Sequence, residues 1–255
     1  QQIPPLTGKG SFDCLAIPDT IVDASNLAIR IAVVVARIVQ FYRASNSLTT
    51  PEEPLFNPTE HRRILRLVIQ QAIVIQSELS DIAALHSRRS MPHQIMDEGQ
   101  AGQDDPTIIF ASRWVACIDT LYQAILILFF ANFLFCCLAL VRLDQASNIV
   151  TPDTHLAESS APLIELQLKK LSGMICASLP YLVDEVSRGG VPLTVPQPKV
   201  AILHYLIWPL ASVITSPWST GQQVEGCQER INWIRDRYGI NLASVAPASA
   251  KDPVA

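Results

Sequence analysis

Residues 121–141 are apolar at every position except Gln123 and Asn132, and this run limits the fold of the whole chain more than any other feature. It is long enough to cross a bilayer. It equally suits a helix buried on all sides at the centre of a helical protein. Several amphipathic segments surround it in sequence and would have little to cover around a lone membrane span, so the expectation is a central core helix and no membrane partner.

Those segments carry helical periodicity. Leu27, Ile31, Val34, Val35, Ile38 and Phe41 recur at three- and four-residue steps and predict a helix over 24–44, with Arg30 and Arg37 on the other face and Asp23 or Ser25 as cap. Residues 45–57 contain Pro51 and Pro54 and read as a loop. Asn57-Pro58-Thr59-Glu60 then reads as a helix start, and Ile64, Leu67, Val68, Ala72 and Ile75 carry the pattern to about residue 86. A loop is expected over 87–104. Asp105-Pro106 is expected to open a long helix through the apolar run to 142, with a bend or break inside it. Residues 143–158 read as loop, and Ser160-Ala161-Pro162 as the start of a helix that Pro180 ends or kinks. A helix over 199–215 is kinked before Pro209. The last, 221–238, has Val224, Cys227, Ile231 and Ile234 as its apolar stripe and Gly239 as C-cap. No alternating strand pattern is long enough to compete. The expected fold is all-α, an irregular bundle of about six to eight helices. It comprises an extended lead-in (1–22), one helical domain (23–243) and a disordered tail (244–255).

Composition narrows the function. The chain is 49% hydrophobic with a net charge of −4, which speaks against global disorder and against a basic nucleic-acid-binding face. Its densest basic patch, His61-Arg62-Arg63 with Arg66, reads as a solvated helix face, and Arg88-Arg89 likewise as surface. The six cysteines, Cys14, Cys117, Cys136, Cys137, Cys176 and Cys227, form no C-x-x-C pair and no zinc spacing, so no metal and no cofactor is expected. Lying mostly in apolar patterns, they read as small hydrophobes of a reduced, intracellular protein. No signal peptide is read at the start, because residues 1–10 lack an apolar stretch.

No nucleotide loop, nucleophile elbow or zinc-protease motif occurs. His155 with Ser159-Ser160 could suggest a nucleophile pair, but turn and cap roles fit that loop spacing better. Asp184 and Glu185 are adjacent acids that cannot face each other on a helix, and are expected to be solvated. His204 lies beside Tyr205 and Trp208 on a kinked apolar helix. It reads either as a satisfied core histidine or as a polar contact in an apolar pocket. Asn132, a lone amide in the apolar run, must bond a neighbouring helix or a ligand. Trp114, Tyr122 and Trp233 are expected as core aromatics. The candidate ligand-binding set is therefore His204, Tyr205, Trp208, Asn132, Tyr122 and Trp114; no catalytic residue is named.

Three stretches carry a family resemblance. Met174-Ile175-Cys176-Ala177-Ser178-Leu179-Pro180-Tyr181-Leu182 resembles an "IC-x-S-x-P-Y" helix end. Tyr205-Leu206-Ile207-Trp208-Pro209-Leu210-Ala211 resembles an "LLWPL" helix. Cys227 to Leu242, with Arg230, Trp233-Ile234 and Tyr238-Gly239-Ile240, resembles a closing "RL-x-x-I-x-x-x-x-GI" helix. In order and approximate spacing they are similar to the C-terminal part of the fungal-specific transcription factor domain, the helical regulatory region of Zn2Cys6 regulators. These motifs read as packing motifs: Pro209 bends a helix, Trp208 and Tyr205 fill core volume, and Gly239 ends the last helix.

The resemblance implies a regulatory, ligand-sensing domain in the nucleus, binding a hydrophobic small molecule or a protein partner. The scattered cysteines cannot build the family's zinc cluster, so direct nucleic-acid contact is not expected from this chain. The alternative is a stand-alone descendant in fungal secondary metabolism, a cytoplasmic, cofactor-free cyclase or pericyclase. Such an enzyme would hold a hydrophobic substrate in its reactive shape, with one hydrogen bond to a carbonyl adding to the rate.

Overall fold

The computed structural model describes residues 27–49, 58–89, 94–95, 107–110, 112–149, 151–187, 191, 193 and 198–239. The fold is all-α, with six helices among these residues: α1 (Leu27–Thr49), α2 (Pro58–Arg89), α3 (Arg113–Ala146), α4 (Pro152–Leu182), α5 (Val200–Thr215) and α6 (Gly221–Tyr238). Two short antiparallel strands, β1 (Gln94–Ile95) and β2 (Ile108–Ile109), pair Gln94 with Ile109 and Ile95 with Ile108.

Helix α3 contains the apolar run and lies at the centre. It packs against α1, α2, α4 and α5, while α6 rests on α5 and α4. Phe129, Phe133, Leu134, Cys136 and Leu140 are fully buried along it. By length and composition α3 could cross a membrane, and 56% of its most apolar window is buried against the rest of the fold. Val34, Ile38 and Phe41 of α1 and Leu65, Val68, Ala72, Ile75 and Leu79 of α2 are buried at three- and four-residue steps. Phe41 meets Phe129 edge-to-face at 5.3 Å between ring centroids.

Several boundaries differ from the sequence expectations, each for a local reason. α1 continues to Thr49 rather than ending at 44, because Phe41 and Ser45 sit in the interface it forms. α3 does not start at Pro106: Thr107 to Phe110 are extended around β2, and Ser112 caps the helix by accepting from Val115 N at 3.2 Å. From there α3 runs through to Ala146 without the expected break; a helix apolar all round can stay continuous when neighbours cover it along its length. α4 starts ten residues earlier than Pro162 suggests, at Pro152, where Thr151 and Thr154 form a capping box. Pro162 lies inside it, and Pro180 stands two residues before its end. α5 passes through Pro209. α6 ends as expected, with Gly239 in the left-handed region at φ 64°. The expected lead-in, the tail, Cys14, the Asn57 cap and most of the 87–104 loop lie outside the described residues.

The basic patch is only in part a solvated face: Arg63 is exposed and bonds Glu60 on its own helix, as expected, whereas Arg62 is not. Arg62 is buried, and its Nε donates to Asp144 Oδ1 at 2.5 Å; Asp144 has no exposed side-chain surface. Arg62 Nη2 also donates to Ser147 Oγ at 2.9 Å, and Thr154 Oγ1 donates to Asp144 Oδ2 at 2.5 Å. Arg66 adds an ion pair to Asp153 at 3.3 Å. The charges thus pin the start of α2 to the turn between α3 and α4, where burial makes partners obligatory. Periodicity assigns these arginines to a helix face, but the acid that covers that face comes from more than seventy residues away.

Candidate functional site

Helix α3 brings its first turn against the middle of α5. Trp114 meets Tyr205 edge-to-face, ring centroids 6.2 Å apart. Residues four apart share a helix face, so Ile118 extends Trp114's surface along α3 and Trp208 extends that of His204 along α5. All are exposed among the described residues: Trp114 46%, Ile118 65%, Tyr205 48% and Trp208 37%, with His204 exposed beside them. Val115 and Val200 are also exposed. Single exposed apolar side chains are ordinary; these form one group on two packed helices.

The surface is held from beneath. Arg113, next to Trp114, reaches the end of α4: it donates through Nε to Tyr181 O at 3.3 Å, pairs through Nη2 with Asp184, and lies 5.5 Å over the Tyr181 ring. The Tyr181 hydroxyl donates to Phe110 O at 3.0 Å. Asp184 follows α4 in the left-handed region at φ 67°, which a short acidic side chain tolerates better than most. Pro209, buried in α5, has no N–H to donate to the carbonyl of Tyr205 one turn earlier.

Four of the six candidate residues, Trp114, His204, Tyr205 and Trp208, therefore share one face. Trp114, Tyr205 and Trp208 are not the core residues expected, and His204 is not the core histidine of one of its two readings; their helices bury the opposite sides, Ala116 on α3 and Leu203, Leu206, Ile207 and Leu210 on α5. Tyr122 continues the Trp114–Ile118 line one turn further but is half-buried. Burial, and then the charge of Asp119, push its hydroxyl up to about 12. Asn132 lies about 15 Å further along α3 and belongs elsewhere. It is buried, donates to Leu128 O at 2.8 Å, and accepts from Ser45 Oγ of α1 at 3.3 Å. Its partner is a neighbouring helix. Trp233 is half-buried, edge-on to Tyr238 at 5.6 Å.

The remaining sequence candidates take structural roles. His155 and Ser159 are exposed residues of α4 rather than of a loop; His155 Nδ1 lies 3.8 Å from Glu158, and Ser159 Oγ donates to Leu156 O. Asp184 and Glu185 are not solvated as expected: Asp184 is buried against Arg113, and Glu185 receives Arg230 through two hydrogen bonds. No group of three or more His, Cys, Asp or Glu among the described residues is placed to hold a metal. Ile118 and Arg113 are not among the residues the sequence singles out, and Asp184 is singled out only as a solvated acid. The i, i+4 spacing of Trp114 and Ile118 could have flagged the first; nothing local signals the Arg113–Asp184 pair.

The three stretches behind the family resemblance are neighbours in space. The end of α4 contacts α6 through Cys176 and Cys227, and α5 packs on both helices. No family model, no curated protein and no solved structure matches the chain.

Proposed function

We propose that the chain is a helical regulatory domain of the fungal transcription factor type, an irregular bundle around α3, acting in the nucleus by holding an apolar partner on the α3–α5 aromatic face. The observation that carries the reading is the exposed group Trp114, Ile118, Tyr205 and Trp208, organised by the Trp114–Tyr205 ring contact. Tryptophan and tyrosine are the side chains that most often dominate protein interfaces, because they bury large area at small entropic cost. Small-molecule sites are typically concave and bury most of their ligand. Side chains exposed to this degree fit a protein partner better, one presenting an apolar helix or loop. Within this reading the apolar run is the core helix of a domain that meets neither membrane nor nucleic acid.

The test is photo-crosslinking from position 118 in cells of the source organism, with the purified protein incubated in parallel with a metabolite extract followed by mass spectrometry. The proposal expects a polypeptide crosslinked to position 118 and at least a tenfold weaker yield in Tyr205→Ala. A metabolite consumed with an isomeric product released would replace this reading with that of a cofactor-free enzyme. A metabolite retained unchanged, without a crosslinked polypeptide, would make the face a small-molecule sensor.

A further inference from the structure

Helices α4 and α6 meet along a seam with a definite register. Ser219 Oγ donates to Ser172 Oγ at 3.1 Å, Gln223 Nε2 lies 3.6 Å from where a Cβ on Gly173 would stand, and Arg230 binds Glu185 beyond the end of α4. Contact positions rise together on both sides, so the two helices run side by side in the same direction. In the middle of this ladder Cys176 Sγ and Cys227 Sγ lie 3.7 Å apart, from positions 51 residues apart in the chain.

We propose that Cys176 and Cys227 form a reversible disulfide, made by hydrogen peroxide, that ties α4 to α6. The sulfurs need to close by about 1.7 Å to reach bonding distance, a movement within the reach of side-chain rotation on facing helices. Cys176 is partly exposed and Cys227 fully buried, so peroxide meets Cys176 first. The Cys176 thiolate attacks one peroxide oxygen: the S–O bond forms, the O–O bond breaks, and the departing hydroxide takes up the thiol proton as water. Cys227 Sγ then displaces the sulfenic hydroxyl. The S–S bond forms, the S–O bond breaks, and the proton of Cys227 leaves with that hydroxyl as a second water. Two thiols are oxidised and one peroxide is reduced.

The other described cysteines are poorly placed to compete. Cys117, Cys136 and Cys137 are buried, and burial pushes the Cys136 and Cys137 thiols up to about 12, which keeps them protonated and unreactive. Cys136 and Cys137 are adjacent on α3 and diverge around the helix. Cys227 is itself held protonated by its hydrogen bond to Cys176 and by burial, so it enters as the second thiol.

The test is peroxide treatment of the folded, full-length protein, alkylation of the remaining thiols, proteolysis and mass spectrometry. The proposal expects one linked peptide joining the Cys176 and Cys227 segments, lost on reduction with dithiothreitol. It also expects an upward shift of several degrees in Tm on oxidation, because the bridge closes a long loop in the unfolded chain. The shift is absent in Cys227→Ser, where dimedone instead traps a sulfenic acid at Cys176. Oxidation of Cys176 to sulfinic or sulfonic acid in the unmodified protein with no linked peptide would overturn the proposal. So would a bridge from either cysteine to Cys14. The linked-peptide readout needs no variant, so a misfolded Cys227→Ser protein would leave it decisive.

Discussion

Arg62 and Asp144 form a charge pair inside the fold: Nε to Oδ1 is 2.5 Å, and the acid's side chain has 0% exposure. A pair this deep contributes little net stability beyond what an apolar pair would, but either partner left alone is costly. Asp144→Ala is expected to lose about 3–5 kcal/mol, read as a Tm lower by about 10 °C. The double variant Arg62→Met with Asp144→Leu should recover most of that loss. Denaturant unfolding of the three proteins checks the ordering. Equal losses in the single and double variants would show that the pair stabilises the fold outright.

The aromatic face has the opposite expectation. Ile118 is the most exposed member of that face, at 65%, so Ile118→Ser should change stability by no more than about 1 kcal/mol. A buried isoleucine would cost about 2–5 kcal/mol when truncated. Thermal unfolding separates these values, and a large loss would show that Ile118 is covered in solution.

Ser45→Ala is expected to cost more than the loss of one oxygen suggests. It removes the one hydroxyl proton shared between Asn132 Oδ1 at 3.3 Å and Tyr42 O at 3.0 Å, and the buried amide oxygen loses that donor, about 1–3 kcal/mol. Adding Asn132→Leu should return part of the loss, since both polar partners are then gone. A double-mutant cycle by chemical denaturation measures the coupling.

Stability should fall on the alkaline side. The Tyr122 hydroxyl is raised from 10.0 to about 12, and the Cys136 and Cys137 thiols from 9.0 to about 12, all chiefly by burial. These groups hold their protons more tightly folded than unfolded. Their contribution is complete below the unfolded values, declines from pH 9 upward and is lost through about 12. Tyr122→Phe should flatten the decline between pH 10 and about 12. Denaturant midpoints across this range, with phenolate absorbance followed in parallel, provide the check.

Much of the helix content was legible along the chain, because amphipathic periodicity and end signals are local. The 221–238 helix and its Gly239 cap match the structure, as does the Pro58 start of α2. What local rules misjudged were boundaries with competing signals. Pro162 reads as a helix start, yet Thr151 provides a capping box ten residues earlier; a proline disfavours a helix interior without forbidding it. Of the candidate site, the residue types and the α5 cluster were legible. Their exposure was not, because a tryptophan at helical spacing fits a core face and an interface face alike.

The amino-acid order by itself determined that this chain is helical, that the 121–141 run is its most apolar stretch, and where its last helix starts and ends. Hydrogen bonds within a helix and the capping of its ends involve residues only a few positions apart. Only the tertiary structure decided that Arg62 serves Asp144, that Arg113 serves Asp184, that Trp114 stands against Tyr205, and that Cys176 faces Cys227. Each pair joins residues from different helices or the turn that ends one. Such pairs depend on how the helices rotate about their axes and cross, which follows from the fit of all the buried side chains together rather than from any one segment.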